Sequence, residues 1–320
     1  MSAVTASTGT TIEPATGDDL VAAANVYQAA AQDLSDRLRA VNPWTSASAR
    51  ADDLGLAIDT LRALVAENPG GVLVAREAGE IVGMAAVQIQ HPHAHIAFFF
   101  VHPRFQGRGI GSTLLAALRE AIDQAGATVV TLASSRDARA WQRYLRFGMR
   151  PGPPVLAFRA AQPRFPASLP DIPGLVTRPL SPDDIDTVAA LDLEVRGANR
   201  RGALERWIAN DHGMLALDRD SGDPEGFALV STRPQYDQIG PVVSRDPGNV
   251  PYMLDLALFL AGTHPNPQRQ PWRIDLHSRN QVAVEPLLQA GFTVDALVNW
   301  FETGPVGLWD RYVFRDEDAL

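Results

Sequence analysis

Residues Phe98 to Gly111 read FFFVHPRFQGRGIG, and what precedes and follows them decides the fold. The apolar run AHIAFFFV, Ala94 to Val101, has the composition of a buried strand. Val101-His102-Pro103 ends it, because proline has no N–H to give a ladder. A loop follows, Gln106-Gly107-Arg108-Gly109-Ile110-Gly111, and then STLLAALREAI, Ser112 to Ile122, with the spacing of an amphipathic helix. Glycines at alternate positions expose backbone N–H groups and remove side chains that would block a ligand. The start of the helix adds the positive end of its dipole. Strand, glycine loop and helix in this order predict an anion cradle, whose natural ligand is a pyrophosphate. The glycines are too closely spaced for a GxGxxG dinucleotide fingerprint, and no Gly-Lys-Ser/Thr follows to make a P-loop. A glycine-rich strand-to-helix turn without a ligand is the plain alternative.

A second motif lies at Asp137 to Met149, DARAWQRYLRFGM. On a helix, positions 137, 140, 141 and 144 line one face. Tyr144 closes that face with a hydroxyl that can donate or accept a hydrogen bond. The alternative is a core tyrosine that closes a helix against a sheet.

Together the two motifs resemble the acyl-coenzyme A site of the GCN5-related N-acetyltransferases (GNATs). The family's Gln/Arg-x-x-Gly-x-Gly/Ala is matched by Gln106, Gly109 and Gly111, with Gly107 and Arg108 as common variants. Its Asn-x-x-Ala-x-x-x-Tyr-x-x-x-Gly-Phe is matched at Ala140, Tyr144 and Gly148. Asp137 stands for the asparagine and Met149 for the phenylalanine. The resemblance implies an α/β fold with a mixed sheet whose two middle strands splay apart around the coenzyme. It implies acetyl-CoA as cosubstrate, with the pyrophosphate on Gln106, Gly107, Arg108, Gly109, Ile110, Gly111 and Ser112. Strand N–H groups near Phe99, Phe100 and Val101 would hold the pantetheine arm and polarise the thioester oxygen. Asp137 would meet the pantetheine amides, a contact its departure from asparagine weakens, and Tyr144 would protonate the leaving thiolate.

The 320 residues suffice for two domains, and 46% hydrophobic with 20% charged is a globular composition. There is no Cys, which excludes disulfides, thiolate nucleophiles and thiolate metal sites. Residues 1–11 lack the basic and apolar regions of a signal peptide and are expected to form a disordered lead-in. No apolar run reaches the ~20 residues of a membrane span, so no membrane partner and a cytoplasmic location are expected. The net charge of -9 argues against nucleic acid and suits a cationic amine. All 28 basic residues are arginine, so the chain has no lysine of its own to acetylate.

The chain repeats itself. Ile12-Glu-Pro-Ala-Thr-Gly-Asp-Asp-Leu20 parallels Thr177-Arg-Pro-Leu-Ser-Pro-Asp-Asp-Ile185, each a short strand, a turn and a helix start capped by Thr16 or Ser181. Asp137-x-x-Ala140…Gly148-Met149 parallels Asn280-x-x-Ala283…Gly291-Phe292. This predicts two tandem GNAT folds: a catalytic domain over 12–162, a proline-rich linker over 163–174 and a second domain over 175–320. In the first, Leu20 to Leu38 reads as a helix, with further substrate-side helix around Asp53 to Glu67. Gly71 to Glu77 and Ile81 to Gln90 read as a hairpin turning at Ala78-Gly79, and Val155 to Arg159 as the last strand. Aligning Val243 with Val101 puts Asn249, Pro251 and Met253 at the loop glycines and Leu287 at Tyr144, so the second copy is expected to be degenerate. Arg200 and Arg201 read as solvated helix-end arginines or as contacts to an anionic substrate group.

An aliphatic amine must lose a proton before it attacks, which calls for a base. The central strand carries no carboxylate but starts at His91-Pro-His-Ala-His95. Period two puts His95 on one face with Ala97, Phe99 and Val101 and makes it the candidate base. A structural histidine is the alternative, and a metal site of His91, His93 and His95 is a weaker one. The reading is a tandem GNAT N-acetyltransferase, monomer or homodimer, that acts on a small-molecule primary amine enclosed between two domains. A protein or peptide acetyltransferase and a non-catalytic acyl-CoA sensor or scaffold remain as rivals.

Overall fold

The structure, a computed structural model, describes residues 4–5, 9–38, 49–232, 236–264 and 270–315. The chain divides into two compact units. Residues 1–151 form the first together with Phe301–Gly304, and residues 152–300 with 305–320 form the second.

The first unit runs β1 (Val4–Thr5), β2 (Thr11–Pro14), α1 (Leu20–Leu38), α2 (Ala49–Glu67), β3 (Val72–Glu77), β4 (Glu80–Gln90), β5 (His93–Val101), α3 (Ile110–Gln124), β6 (Val129–Ser134), α4 (Ala138–Arg146) and β7 (Arg150–Pro151). Strands β1 to β5 pair antiparallel in sequence order, and β6 joins β5 in parallel. Ala78 (φ 50°) and Gly79 (φ 87°) turn the β3–β4 hairpin, as a two-residue loop with left-handed residues should. Leu73, Ala75, Ala85 and Val87 pack with Leu114 and Leu118 of α3 on one face. Val72, Val74, Met84 and Ala86 pack with Leu20 and Ala24 of α1 and Leu61 of α2 on the other. A sheet buried on both faces explains why β3 and β4 are apolar without alternation.

Two irregularities in β5 shape the site. Ala86 pairs with Phe98 but Val87 pairs with Ile96, so Ala97 is an extra residue, a β-bulge. The parallel ladder between β5 and β6 covers His93–Val129, Ala94–Val130 and His95–Thr131 and stops there. Beyond His95 and Thr131 the two strands part.

The domain boundary differs from the expected one. Val155 to Arg159 was expected as the last strand of the first domain, but the strand there, β8 (Val155–Ala160), lies in the second unit. Its place beside β6 is taken by the distant segment Phe301–Gly304: the Thr303 N–H donates to the Val130 carbonyl at 2.9 Å, and the Val130 N–H to Thr303 Oγ1 at 2.9 Å. Alternating burial marks a segment as a strand but does not name its neighbour. The expected disordered lead-in also differs, since Val4 and Thr5 pair with Ile12 and Thr11; residues 1–3 and 6–8 lie outside the described residues. Pro163–Gly174 holds no helix or strand, and Ile172 within it is buried in the second unit's core.

The second unit holds β8, β9 (Leu175–Pro179), α5 (Ile185–Arg196), α6 (Arg201–Asn210), β10 (His212–Asp218), β11 (Pro224–Thr232), β12 (Asp237–Ser244), α7 (Val250–Thr263), β13 (Trp272–His277), α8 (Val284–Gln289), most of β14 (Thr293–Glu302) and β15 (Tyr312–Phe314). Strands β9 to β12 pair antiparallel, and β13 is flanked by β8, which in turn pairs β14. Here too the middle strands meet in parallel only briefly, at Asp237–Trp272 and Gln238–Arg273. Strand β15 fills the gap beyond, pairing Val243 and Val242 of β12 on one side and Leu276 and Asp275 of β13 on the other. Gly240 (φ 144°) permits this, because a Cβ there would stand 2.0 Å from the Phe314 carbonyl oxygen.

Candidate active site

The glycine loop sits where β5 passes into α3. His102 caps the short turn at 103–105, its Nδ1 accepting the Arg104 N–H at 3.3 Å, and Gln106 Nε2 donates to the Val101 carbonyl at 3.0 Å. The Gln106 side chain therefore braces the loop against the strand end. Gly107 (φ 80°) and Gly109 (φ 88°) are left-handed, and a Cβ at either would meet nothing within 4 Å. Dihedral angle, not crowding, demands glycine there, and the space in front of the loop is open. Gly109 caps α3, its carbonyl accepting the N–H groups of Ser112 (2.9 Å) and Thr113 (3.2 Å). The N–H groups of Ile110 and Gly111, at the first turn of α3, have no intrahelical acceptor and suit an anion. A Cβ at Gly111 would touch Arg143 Nε and the Phe99 ring at 3.4 Å, so a small residue lets α4 and β5 approach α3. Arg108 is half-exposed, paired with Glu77 at 3.3 Å and lying over the Phe105 ring at 5.0 Å. Ser112 is exposed on the first turn of α3.

Tyr144 of α4 is buried between the rings of Phe99 (6.1 Å) and Phe301 (5.4 Å). Burial pushes its phenol up to about 12, against a hydrogen bond with the Ser134 side chain that pulls it down. It is thus a fully protonated hydroxyl at the wide end of the gap between β5 and β6. Phe99, Phe100 and Val101, the part of β5 that β6 leaves, are half-buried on both faces. Ser134 and Phe301 were missed in the sequence. Ser134 ends β6 three residues before Asp137, but nothing in its surroundings marks it, and Phe301 comes from the other end of the chain.

Asp137 caps α4, its Oδ1 accepting the Arg139 N–H at 3.0 Å. Its Oδ2 is paired with Arg139 at 3.0 Å and with Arg37 of α1 at 3.1 Å. Burial opposes ionisation, but these guanidinium groups and the cap outweigh it and hold the carboxyl down at about 2. Asp137 therefore ties α1 to α4 as an anion, a role an asparagine would fill less well.

His95 lies elsewhere than alternation implied. The bulge at Ala97 breaks the period: Phe99 and Val101 pack on the α3 face together with Ala94 and Ile96, whereas Phe98 and Phe100 pack with α1 and α2. His95, between Ala94 and Ile96, faces α1 and α2 and does not share a face with Phe99 and Val101. It is fully buried, and its Nδ1 meets Thr131 Oγ1 at 2.9 Å. His95 and Thr131 are the last paired residues before β5 and β6 part. His93 is buried beside it, but His91 is exposed in the preceding turn, and the described residues contain no cluster of three or more potential metal ligands.

The second unit differs at each corresponding place. Helix α7 starts at Val250 directly after the turn at Pro247–Asn249. The first unit has four further residues there, Gln106 to Gly109. The glycine loop is thus missing rather than substituted at Asn249, Pro251 and Met253, and proline in the first turn of α7 is preorganised for this abrupt start. Met253 and Leu287 are fully buried core residues. Asn280, at the place of Asp137, donates through Nδ2 to the Tyr312 carbonyl of β15 at 3.2 Å. Arg200 is not solvated: it is buried, pairs Asp192 at 2.6 Å and donates to the Tyr312 hydroxyl. Beside it, burial and the Arg200 charge push the buried Arg196 down to about 10. Arg201 is at the surface, paired with Asp186 (2.5 Å) and Glu205 (3.0 Å).

Comparison with known proteins agrees with this geometry. Residues 32–149 match the acetyltransferase (GNAT) family, and residues 188–298 match an acetyltransferase (GNAT) domain. No curated protein sequence matches the chain significantly. Among solved structures, a GCN5-related N-acetyltransferase from Sphaerobacter thermophilus is 18% identical at a TM-score of 0.62, covering 93% of this chain and 96% of its own. A tandem GNAT protein from the clavulanic acid biosynthesis pathway is 19% identical at 0.58, covering 92% and 99%. At such identities the likeness concerns the fold, which in both cases extends over nearly the whole chain. No helix among the described residues is long and apolar enough to cross a membrane. The chain carries two GNAT acetyltransferase domains in tandem.

Proposed function

We propose that the first unit transfers acetyl from acetyl-CoA directly to the primary amine of a small molecule, and that the second unit is a degenerate copy that holds no coenzyme. One observation carries this reading: β5 and β6 part beyond His95 and Thr131, with the open glycine loop and the protonated Tyr144 beside the half-exposed Phe99–Val101. The residues fit acetyl-CoA. The N–H groups at the start of α3 suit its pyrophosphate, and the unpaired edge of β5 suits an arm built of amides. When bound, the coenzyme supplies an activated thioester.

The chain's own groups then have distinct tasks. N–H groups near Phe99 and Val101 polarise the thioester oxygen. Tyr144 holds a proton for the leaving thiolate. The burial that raises the phenol to about 12 raises a thiolate in the same place as well, so the transfer is not uphill by the full shift. His95 takes the proton that an ammonium acceptor must lose. With no Cys in the chain there is no thiol to carry an acyl group, which supports direct transfer. In the second unit β15 lies where the strands part, no glycine loop precedes α7, and Leu287 has no proton to give. The net charge of -9 favours a cationic acceptor.

The test is acetyl-CoA turnover against a panel of amines and free-N-terminal peptides, followed by thiol release with a disulfide dye. Amine-dependent release that is lost in Tyr144→Phe supports the reading. Release with peptides alone would move the function to protein acetylation. Binding of one acetyl-CoA without release would favour a sensor, and no binding at all would refute the reading.

A further inference from the structure

Thr131 Oγ1 stands between two imidazoles, 2.7 Å from His93 Nε2 and 2.9 Å from His95 Nδ1. All three residues are fully buried. The rings are 6.4 Å apart and tilted by 45°, too far to bond one another directly. Among the described residues the Thr131 side chain has no third hydrogen-bond partner. A hydroxyl carries one hydrogen, which must go to one of the two facing nitrogens. The other nitrogen, at hydrogen-bond distance from the same oxygen, must then be the donor. The facing nitrogens are therefore complementary: one bare and one protonated.

We propose that Thr131 is a positioning residue that locks His93 and His95 into complementary tautomers and passes a proton between them; the inference rests on the reading of His95 as the base. In the receptive state His95 is protonated on Nδ1 and donates to Thr131, Thr131 donates to Nε2 of His93, and Nε2 of His95 is bare. When the acceptor's ammonium gives a proton to His95 Nε2, the Nδ1 proton moves to Thr131 Oγ1 and the hydroxyl proton moves to His93 Nε2. One proton enters at His95 and one positive charge appears on His93, whose Nδ1 proton was already present. His95 is again neutral, in the other tautomer. The charge leaves the apex of the gap without any side chain moving. A buried imidazolium beside the reacting atoms is costly, and the relay moves the charge two residues along the strand, away from those atoms. The device is built into the sheet, because His93 and His95 are two residues apart on β5 and Thr131 is paired with His95 on β6.

The experiment uses the full chain labelled with nitrogen-15 on histidine. Long-range nitrogen–proton spectra, assigned with His93→Gln and His95→Gln, report which ring nitrogens are protonated, without any substrate. Complementary facing nitrogens in the wild type and in Thr131→Ser, and loss of that correlation in Thr131→Val, are expected. In turnover, Thr131→Val is expected to lower kcat ~10-fold or more with the acetyl-CoA KM unchanged, and Thr131→Ser to restore it, within the usual range of acid–base contributions. Facing nitrogens in the same protonation state, or a Thr131→Val that turns over like wild type, would overturn the proposal. A wild type without turnover but with complementary nitrogens would refute acyl transfer and leave the coupled pair standing.

Discussion

Gly109→Trp separates folding from ligand binding at the glycine loop. The substitution forces a non-glycine residue to φ 88°, in the left-handed region, which costs ~1–2 kcal/mol. Nothing lies within 4 Å of its Cβ, so the added side chain starts into open space. A loss of ~1–2 kcal/mol lowers Tm by roughly 2–8 °C in a domain of this size, and the protein stays folded. A ring of that size beside the first turn of α3 is expected to compete with a ligand for the N–H groups of Ile110 and Gly111. Two charge-assisted hydrogen bonds at ~1.5–3 kcal/mol each are worth at least a hundredfold in affinity. Calorimetric titration of acetyl-CoA, with a thermal melt on the same sample, reads both quantities. One equivalent bound by wild type and none by the folded variant is expected. One equivalent retained with unchanged affinity would show that this loop is not where the coenzyme is held.

Three further perturbations test other parts of the structure. Asp137 has a folded-state pKa of about 2 against an ordinary 3.8, so it stabilises the fold above pH ~4 and loses that contribution as pH falls from 3.8 toward 2. The gain, discounted because Arg37 and Arg139 are partly exposed, is about 1–2 kcal/mol; the Tm gap between wild type and Asp137→Asn should close over that window, and a constant gap would refute the assignment. Gly240→Ala sets a Cβ 2.0 Å from the Phe314 carbonyl; the second unit should lose ~3 kcal/mol or more in chemical denaturation, and a neutral result would contradict the seating of β15. Asp192→Asn removes the carboxylate paired with the buried Arg200, leaves that guanidinium without its counter-ion, and should cost ~3–5 kcal/mol; less than ~1 kcal/mol would mean that water reaches it.

What could be read in advance was whatever depends on short-range chemistry. The Ala78-Gly79 turn, the loop at Gly107 and Gly109, the caps at Thr16 and Ser181 with Asp19 and Asp184, and the α4 helix all follow from residues within a few positions of one another. What could not be read depends on partners far along the chain or on a register that leaves no mark. Val155 to Arg159 reads correctly as a strand, yet pattern alone gives it no neighbour. The bulge at Ala97 turns His95 away from Phe99, and an alanine in an apolar strand does not announce it. Arg200 reads as a surface residue until Asp192 and Tyr312 close around it. Tyr312–Phe314 is a strand only because two other strands diverge and accept it.

That last point accounts for the difference between the two copies. Backbone N–H and C=O groups inside a fold must find partners. When two middle strands part, the inner edge of each loses its ladder, and something must supply the missing bonds. In the second unit the chain does so itself: β15 pairs β12 through Val242 and Val243 and β13 through Asp275 and Leu276, and Asn280 holds the Tyr312 carbonyl. In the first unit no strand among the described residues pairs β5 with β6 beyond His95 and Thr131, and Phe99 to Val101 stay half-exposed. An extended ligand with alternating amide donors and acceptors is the chemical equivalent of the strand that the second unit keeps. The same topological opening is thus closed in one copy by a three-residue strand of the chain itself and, among the described residues, left without such a strand in the other.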